Sequence, residues 1–291
     1  MRALAFLLLL AAVGGAAKPP LSDPTGIAFD RQGNLWICNY AGRTVQEYPA
    51  ASIAASGPAK PVLTIRGILG PNNIAFDRHG NLWAAEYDGG SVAEIRGGKV
   101  AVRVRFPRTA YAAPTALAFD RGGTLWVTDR RLDRLSAFSP AQLRSSGEKK
   151  PSRSVVVPGG PSSDNQSVAF DAAGRVWIVQ YGLSRVLGFA RPGGARIRTV
   201  PTPSKGPLNV TPGPGGRLWV TLADASEILA FDPKGTPATY TSTDFQNPHT
   251  IAFDPSGRLW ATQYSDEILG FEPGAFDAAG SVTASIVIRN P

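Results

Sequence analysis

The sequence predicts an all-β chain of 291 residues folded as a six-bladed β-propeller of four-stranded antiparallel blades. Three observations predict it. The six tryptophans, Trp36, Trp83, Trp126, Trp177, Trp219 and Trp260, are separated by 47, 43, 51, 42 and 41 residues, the period of a propeller blade. A glycine stands three positions before each of them, at Gly33, Gly80, Gly123, Gly174, Gly216 and Gly257. An aspartate stands six positions before five of them, at Asp30, Asp77, Asp120, Asp171 and Asp254, with Gly213 as the exception.

The first repeat shows how each element follows. "GIAFD" reads as an inner strand, "NLWICNY" as a second, "TVQEYP" as a third and "KPVLTIRG" as an outer strand. The Asp-x-x-Gly between the first two is turn chemistry: the carboxylate accepts local N–H groups and Gly supplies positive φ. The intervening residues, "RQ", "RH", "RG", "AA" and "PS", supply too few acids for a calcium loop, so these aspartates are structural. One such sheet cannot bury both faces, whereas six arranged radially can, with Trp and Phe filling the gaps between blades. The expected organisation is one domain over 18–291.

Pro212 replaces the inner-strand Phe of the other repeats, which an edge strand tolerates. Repeats one, three and six carry an insertion between third and outer strands, at 49–57, 140–147 and 273–280, each opening with Pro and ending with Gly. "SPAQLRSSG" predicts a short helix with Ser139 as N-cap, Pro140 in the first turn and Gly147 as its stop. These insertions would decorate the outer rim as spacers or as a partner surface.

The opening "MRALAFLLLLAAVGGAAKPP" has Arg2, a short apolar run and small residues, which predicts a signal peptide over 1–17 and a secreted or periplasmic protein. No later segment approaches the roughly 20 apolar residues of a membrane helix. Cys38 is the single cysteine, so no intramolecular disulfide forms; its repeat equivalents are small strand residues, which marks a buried inert thiol. The net charge of +8 favours an anionic polymer or an acidic protein partner. The basic clusters "KVAVRVRFPR", "EKKPSR" and "RPGGARIR" lie in different repeats without interleaved aromatics, which argues against nucleic acid.

Alternating strand direction brings the loop before each inner strand and the end of each second strand to one face, around the channel mouth. The first ring comprises Thr25, Asn72, Thr115, Gln166, Leu208 and His249. The second comprises Asn39, Glu86, Asp129, Gln180, Leu222 and Gln263, followed by Tyr40, Tyr87, Arg130, Tyr181, Ala223 and Tyr264. Both rings vary in chemistry while their neighbours stay fixed, as a binding rim for a small molecule, peptide or glycan does.

"NIAFDRHGNLWAAEY" and "TIAFDPSGRLWATQY" resemble the NHL-repeat class of six-bladed propellers and, more loosely, the gluconolactonase-like and streptogramin (virginiamycin B) lyase families. Gluconolactonase-like proteins hold a divalent metal with carboxylate and Asn side chains from several blades. Carried over here, that resemblance leaves Asn72, with Glu86 and Asp129 as added oxygen donors for Ca2+ or Mg2+. Streptogramin lyases use a histidine in such a loop as general base, which points to His249; the pattern's second histidine is missing, since His79 lies in a turn on the opposite face. Two readings stay open: an exported binding or scaffold module, and a metal-assisted hydrolase or lyase at the channel.

Overall fold

A computed structural model describes residues 21–107, 112–160, 162–202 and 206–291. The segment read as a signal peptide, 1–17, lies outside the described residues. Six antiparallel sheets follow one another in sequence order and close into a ring, the inner strand of blade one (Pro24–Phe29) packing beside that of blade six (Pro248–Phe253). Blade one runs through Leu35–Asn39 and Thr44–Tyr48 to the outer strand Leu63–Arg66. Every inner strand carries a register shift against its second strand near its first residues. The first-ring residues therefore lie inside the inner strands, at their second position, and not in the preceding loops.

The tryptophans bridge blades, as the spacing requires. Each of five rings meets the inner-strand Phe of the following blade: Trp36 with Phe76, Trp83 with Phe119, Trp126 with Phe170, Trp219 with Phe253, and Trp260 with Phe29 across the closure. Trp177 faces blade five, where Pro212 has displaced the Phe, and turns instead to Phe231 with a centroid distance of 5.6 Å. Such pairs contribute roughly 0.5–1.5 kcal/mol each beyond the area they bury. Cys38 is fully buried among Val45, Ile65 and Ile74, and burial pushes its thiol pKa up, so it is not available as a nucleophile.

The turn aspartates do more than the spacing alone shows. In blade three, Asp120 Oδ1 accepts the N–H groups of Gly122 and Thr124, and its Oδ2 accepts the indole N–H of Trp126 at 2.9 Å. The same three bonds recur at Asp30, Asp77, Asp171 and Asp254. One side chain thus fixes the turn and the orientation of the inter-blade ring.

Each blade has the four antiparallel strands that the repeat predicts, and the rim insertions add a fifth to three of them. Each insertion ends in a two-residue strand that pairs in parallel with the outer strand of the preceding blade: Gly57–Pro58 on Ile288 and Arg289, Gly147–Glu148 on Val104 and Arg105, and Gly280–Ser281 on Tyr240 and Thr241. Blades six, two and five are therefore five-stranded. The predicted helix over the blade-three insertion is a 3-10 turn, Gln142–Arg144, too short for α-helical bonding. Its N-cap is Ala141, without a side-chain cap bond, and not Ser139, whose Oγ accepts from the Gln142 N–H at 3.4 Å while Gln142 Oε1 accepts from the Ser139 N–H. The turns bury Ile53, Leu143 and Phe276, so the insertions are clamps between blades.

Candidate functional site

The channel mouth opens into a cavity of about 350 Å³. All six first-ring residues, Thr25, Asn72, Thr115, Gln166, Leu208 and His249, line it. Three of them also bolt blades together: Thr25 Oγ1 donates to Pro71 O, Asn72 Nδ2 to Thr115 O, and Thr115 Oγ1 to Asn165 O. Gln166 Nε2 donates to Asp164 Oδ1, and among the described residues the imidazole of His249 has no hydrogen-bond partner. His249 is half-buried. Burial lowers its pKa below 6.5, partly opposed by the nearby Asp23 carboxylate.

The second ring has a different destination. Asn39, Glu86, Asp129, Gln180 and Gln263 are all fully buried and do not line the cavity. They hold the loop that enters their own blade. Asn39 Oδ1 accepts from Ser22 N–H, Glu86 Oε1 from Leu69 N–H, Asp129 Oδ2 from Ala113 N–H and Gln263 Oε1 from Gln246 N–H, at 2.7–3.0 Å. Gln180 does the equivalent with a donor, Nε2 to Pro158 O at 2.9 Å. Strand alternation is the reason: the last residue of each second strand pairs with the first of the inner strand, and its side chain turns into the blade while the next residue turns out.

The proposed metal trio therefore does not converge. Asn72 faces the cavity; Glu86 is sealed against Arg103, whose Nε and Nη2 both donate to it at 2.7 Å, and Ser91; Asp129 is occupied by three backbone N–H groups. Among the described residues no group of three His, Cys, Asp or Glu is placed to hold a metal ion. The residues present do not fit Ca2+ or Mg2+.

The outward-turning residues form a belt from blade to blade. Tyr40 Oη donates to Asp88 of blade two, Tyr87 lies within electrostatic reach of Arg130 of blade three, Arg130 pairs with Asp164 of blade four, and Tyr181 Oη donates to Asp224 of blade five. Ala223 cannot continue it. Tyr264, the blade-six member, is 68% exposed and lines the cavity with His249 and Asn247. Sequence reasoning missed Asp23, Asp88, Asp164 and Asp224. Two of them have a visible signal after the fact: Asp23 and Asp164 directly precede an inner strand and occupy positive φ, a position Asp and Asn tolerate. Asp23 Oδ1 is buried without a partner, and its burial and Asp266 raise its pKa while His249 lowers it.

The chain shares its fold with lyases and lactonases. The virginiamycin B lyase of Staphylococcus aureus superposes with a TM-score of 0.65 at 17% identity, over 86% of this chain and 80% of that one. A periplasmic gluconolactonase of Pseudomonas aeruginosa gives 0.66 at 19% identity, over 94% and 89%. A gluconolactonase of Xanthomonas campestris gives 0.60 at 19%, over 83% of each chain. No family model matches the chain, and no curated protein matches it by sequence. At these identities the likeness to lyases and lactonases is one of architecture, and chemistry has to be argued from the residues above.

Proposed function

We propose that the protein is an exported binding module whose channel-mouth cavity receives a small neutral ligand rich in hydroxyl or amide groups, such as a glycan end or a peptide main chain. One observation carries this reading: the belt of rim bonds leaves out Tyr264, which stands exposed beside an unpartnered His249 in one cavity. An exposed aromatic face and a neutral imidazole suit such a ligand. Of the lining residues only Arg130, Asp164 and Asp224 are charged, and each already has a partner. The cavity volume is in the range of small-molecule sites. The leader-like first residues support export, and the Pseudomonas gluconolactonase that shares this fold is periplasmic. The lyase or lactonase reading has His249 as its base but lacks the donor set for a cation.

The test is saturation-transfer NMR with N-acetylglucosamine and with an N-acetylated dipeptide amide as probes. Saturable contact that His249→Ala and Tyr264→Ala each weaken supports the reading. Contact indifferent to both variants removes it, and turnover of gluconolactone at a rate His249→Ala abolishes would replace it with the enzymatic one.

A further inference from the structure

The three clamps show what fills the groove between neighbouring blades at the outer rim. In the blade-two to blade-three groove, Leu143 packs with Val104, Phe106, Leu125, Val127 and Phe138. The strand that follows, Gly147–Glu148, adds to the outer strand of blade two, and the Lys149 N–H donates to Arg105 O at 2.9 Å. The other clamps repeat this bond, Ala59 N–H to Arg289 O and Val282 N–H to Thr241 O.

Repeats two, four and five have no insertion, so the outer edges of blades one, three and four receive no donated strand. Those edges carry three of the four exposed large hydrophobics among the described residues: Val62 at 65%, Val156 at 62% and Ile197 at 45%. Two of the three grooves are closed by other means. Leu63 and Val100 pack against Ile95 between blades one and two. Arg198 lies over Phe231 and donates to Asp232 O and Gly235 O between blades four and five.

Between blades three and four, Arg153, the register counterpart of Arg198, lies over Trp126 and donates to Pro192 O at 3.0 Å, but an apolar cavity of about 240 Å³ remains. By strand register its lining residues Val155, Val157, Val176, Ile178 and Phe189 are the counterparts of Val104, Phe106, Leu125, Val127 and Phe138, the neighbours of Leu143. Val156 is the counterpart of Arg105, whose carbonyl accepts the clamp's N–H. Exposed Arg134, which pairs in register with Val156, and exposed Arg191, which precedes Pro192, adjoin the lining residues, and no carboxylate lines the cavity.

We propose that the outer edge of blade three is a docking site for an extended acidic segment of a partner protein. The segment places one apolar side chain in the open socket and, about four residues on, adds a short parallel strand to Arg153–Val156, its N–H donating to Val156 O. The internal clamps specify the shape of the occupant, and Arg134 and Arg191 specify its charge.

The probe is a synthetic peptide of residues 139–149 with Arg and Lys changed to Glu, titrated into the 15N-labelled protein and followed by amide shifts and calorimetry. Saturable shifts centred on 153–157 are expected. Replacing the peptide's Leu by Asp should weaken binding about tenfold or more. Val156→Glu should weaken it by repelling the acidic segment, through a side chain that is exposed and leaves the fold intact. Val155→Trp should abolish it by filling the socket, with the melting temperature checking that the variant folds. No shift, shifts centred elsewhere, or equal binding of the Asp peptide overturns the proposal. Shifts of the same amides with protein concentration alone also overturn it, because they make a second copy the occupant.

Discussion

The indole Nε1 of Trp219 is buried against Gly213 without an acceptor, whereas the five other tryptophans donate to an aspartate at that position. Restoring the consensus would not repair it. A Cβ on Gly213 would stand 2.4 Å from Trp219 Nε1 and 2.6 Å from Phe253 Cε2. Gly213→Asp is expected to cost about 1–3 kcal/mol through overpacking, measured by urea denaturation. A stabilised variant would contradict this account.

Where the aspartate is present, its loss should be felt three times over. Asp254→Ala removes the acceptor for Ser256 N–H, Arg258 N–H and the Trp260 indole, and is expected to cost about 2–4 kcal/mol at neutral pH. Burial alone would raise the Asp254 pKa, but bonds from Ser256 and Trp260 outweigh it and hold the group below 3.8. A folded pKa below the unfolded one gives stability that is complete above about pH 3.8 and lost as pH falls through the folded value. The gap between wild type and variant should therefore close under acid, and a gap that persists there would refute the assignment.

The sequence made the repeat legible because its motif consists of turn and ring residues with one role each, and Trp83 or Asp77 has no alternative place to go. It made the mouth only half legible. Asn72, Gln166 and His249 face the cavity, but Glu86 and Asp129 differ from Tyr87 and Arg130 by a single step of strand parity, and one step separates a sealed side chain from an exposed one. The clamps were unreadable for another reason: "GP", "GE" and "GS" become strands only because a preceding blade offers an edge, which is non-local information.

Glu86 gives a direct check of that parity. It is fully buried, and its partners are Arg103, Ser91 and the Leu69 N–H. Glu86→Ala leaves Arg103 without its carboxylate and is expected to destabilise the fold by about 3–5 kcal/mol. Calcium or magnesium should leave the melting temperature of wild type and variant unmoved in calorimetry. A cation-induced rise that the variant loses would return Glu86 to a metal site.

His249 should report on the mouth through pH. Its folded pKa is below 6.5, so the unfolded chain binds the extra proton first. The stability it contributes is complete above 6.5 and declines as pH falls from there toward the folded value. His249→Gln should flatten that part of the stability profile between about pH 5 and 8, and probe binding to the wild type should weaken on the acid side. An identical profile in the variant would show that the imidazole is not the titrating group.

The ring closes where the Gly57–Pro58 strand of repeat one joins the outer strand of blade six, and several side chains span the seam. Leu21 N–H donates to Asn290 Oδ1 at 2.6 Å, and Asn290 Nδ2 donates to Leu21 O at 2.9 Å. Asp23 N–H to Asp266 Oδ1 and Thr262 Oγ1 to Thr25 O cross the same junction, and the Gly57–Pro58 clamp covers its outside. Asn290→Ala removes two bonds that tie the first described residue to the end of the chain, and is expected to cost about 1–3 kcal/mol. The loss should be local in character. Amides of 21–23 and 286–289 should exchange faster with solvent while those of blade three, on the far side of the ring, keep their protection. Uniform acceleration across all blades would mean that the seam and the ring open as one unit, and unchanged exchange would mean that the clamp alone holds the closure.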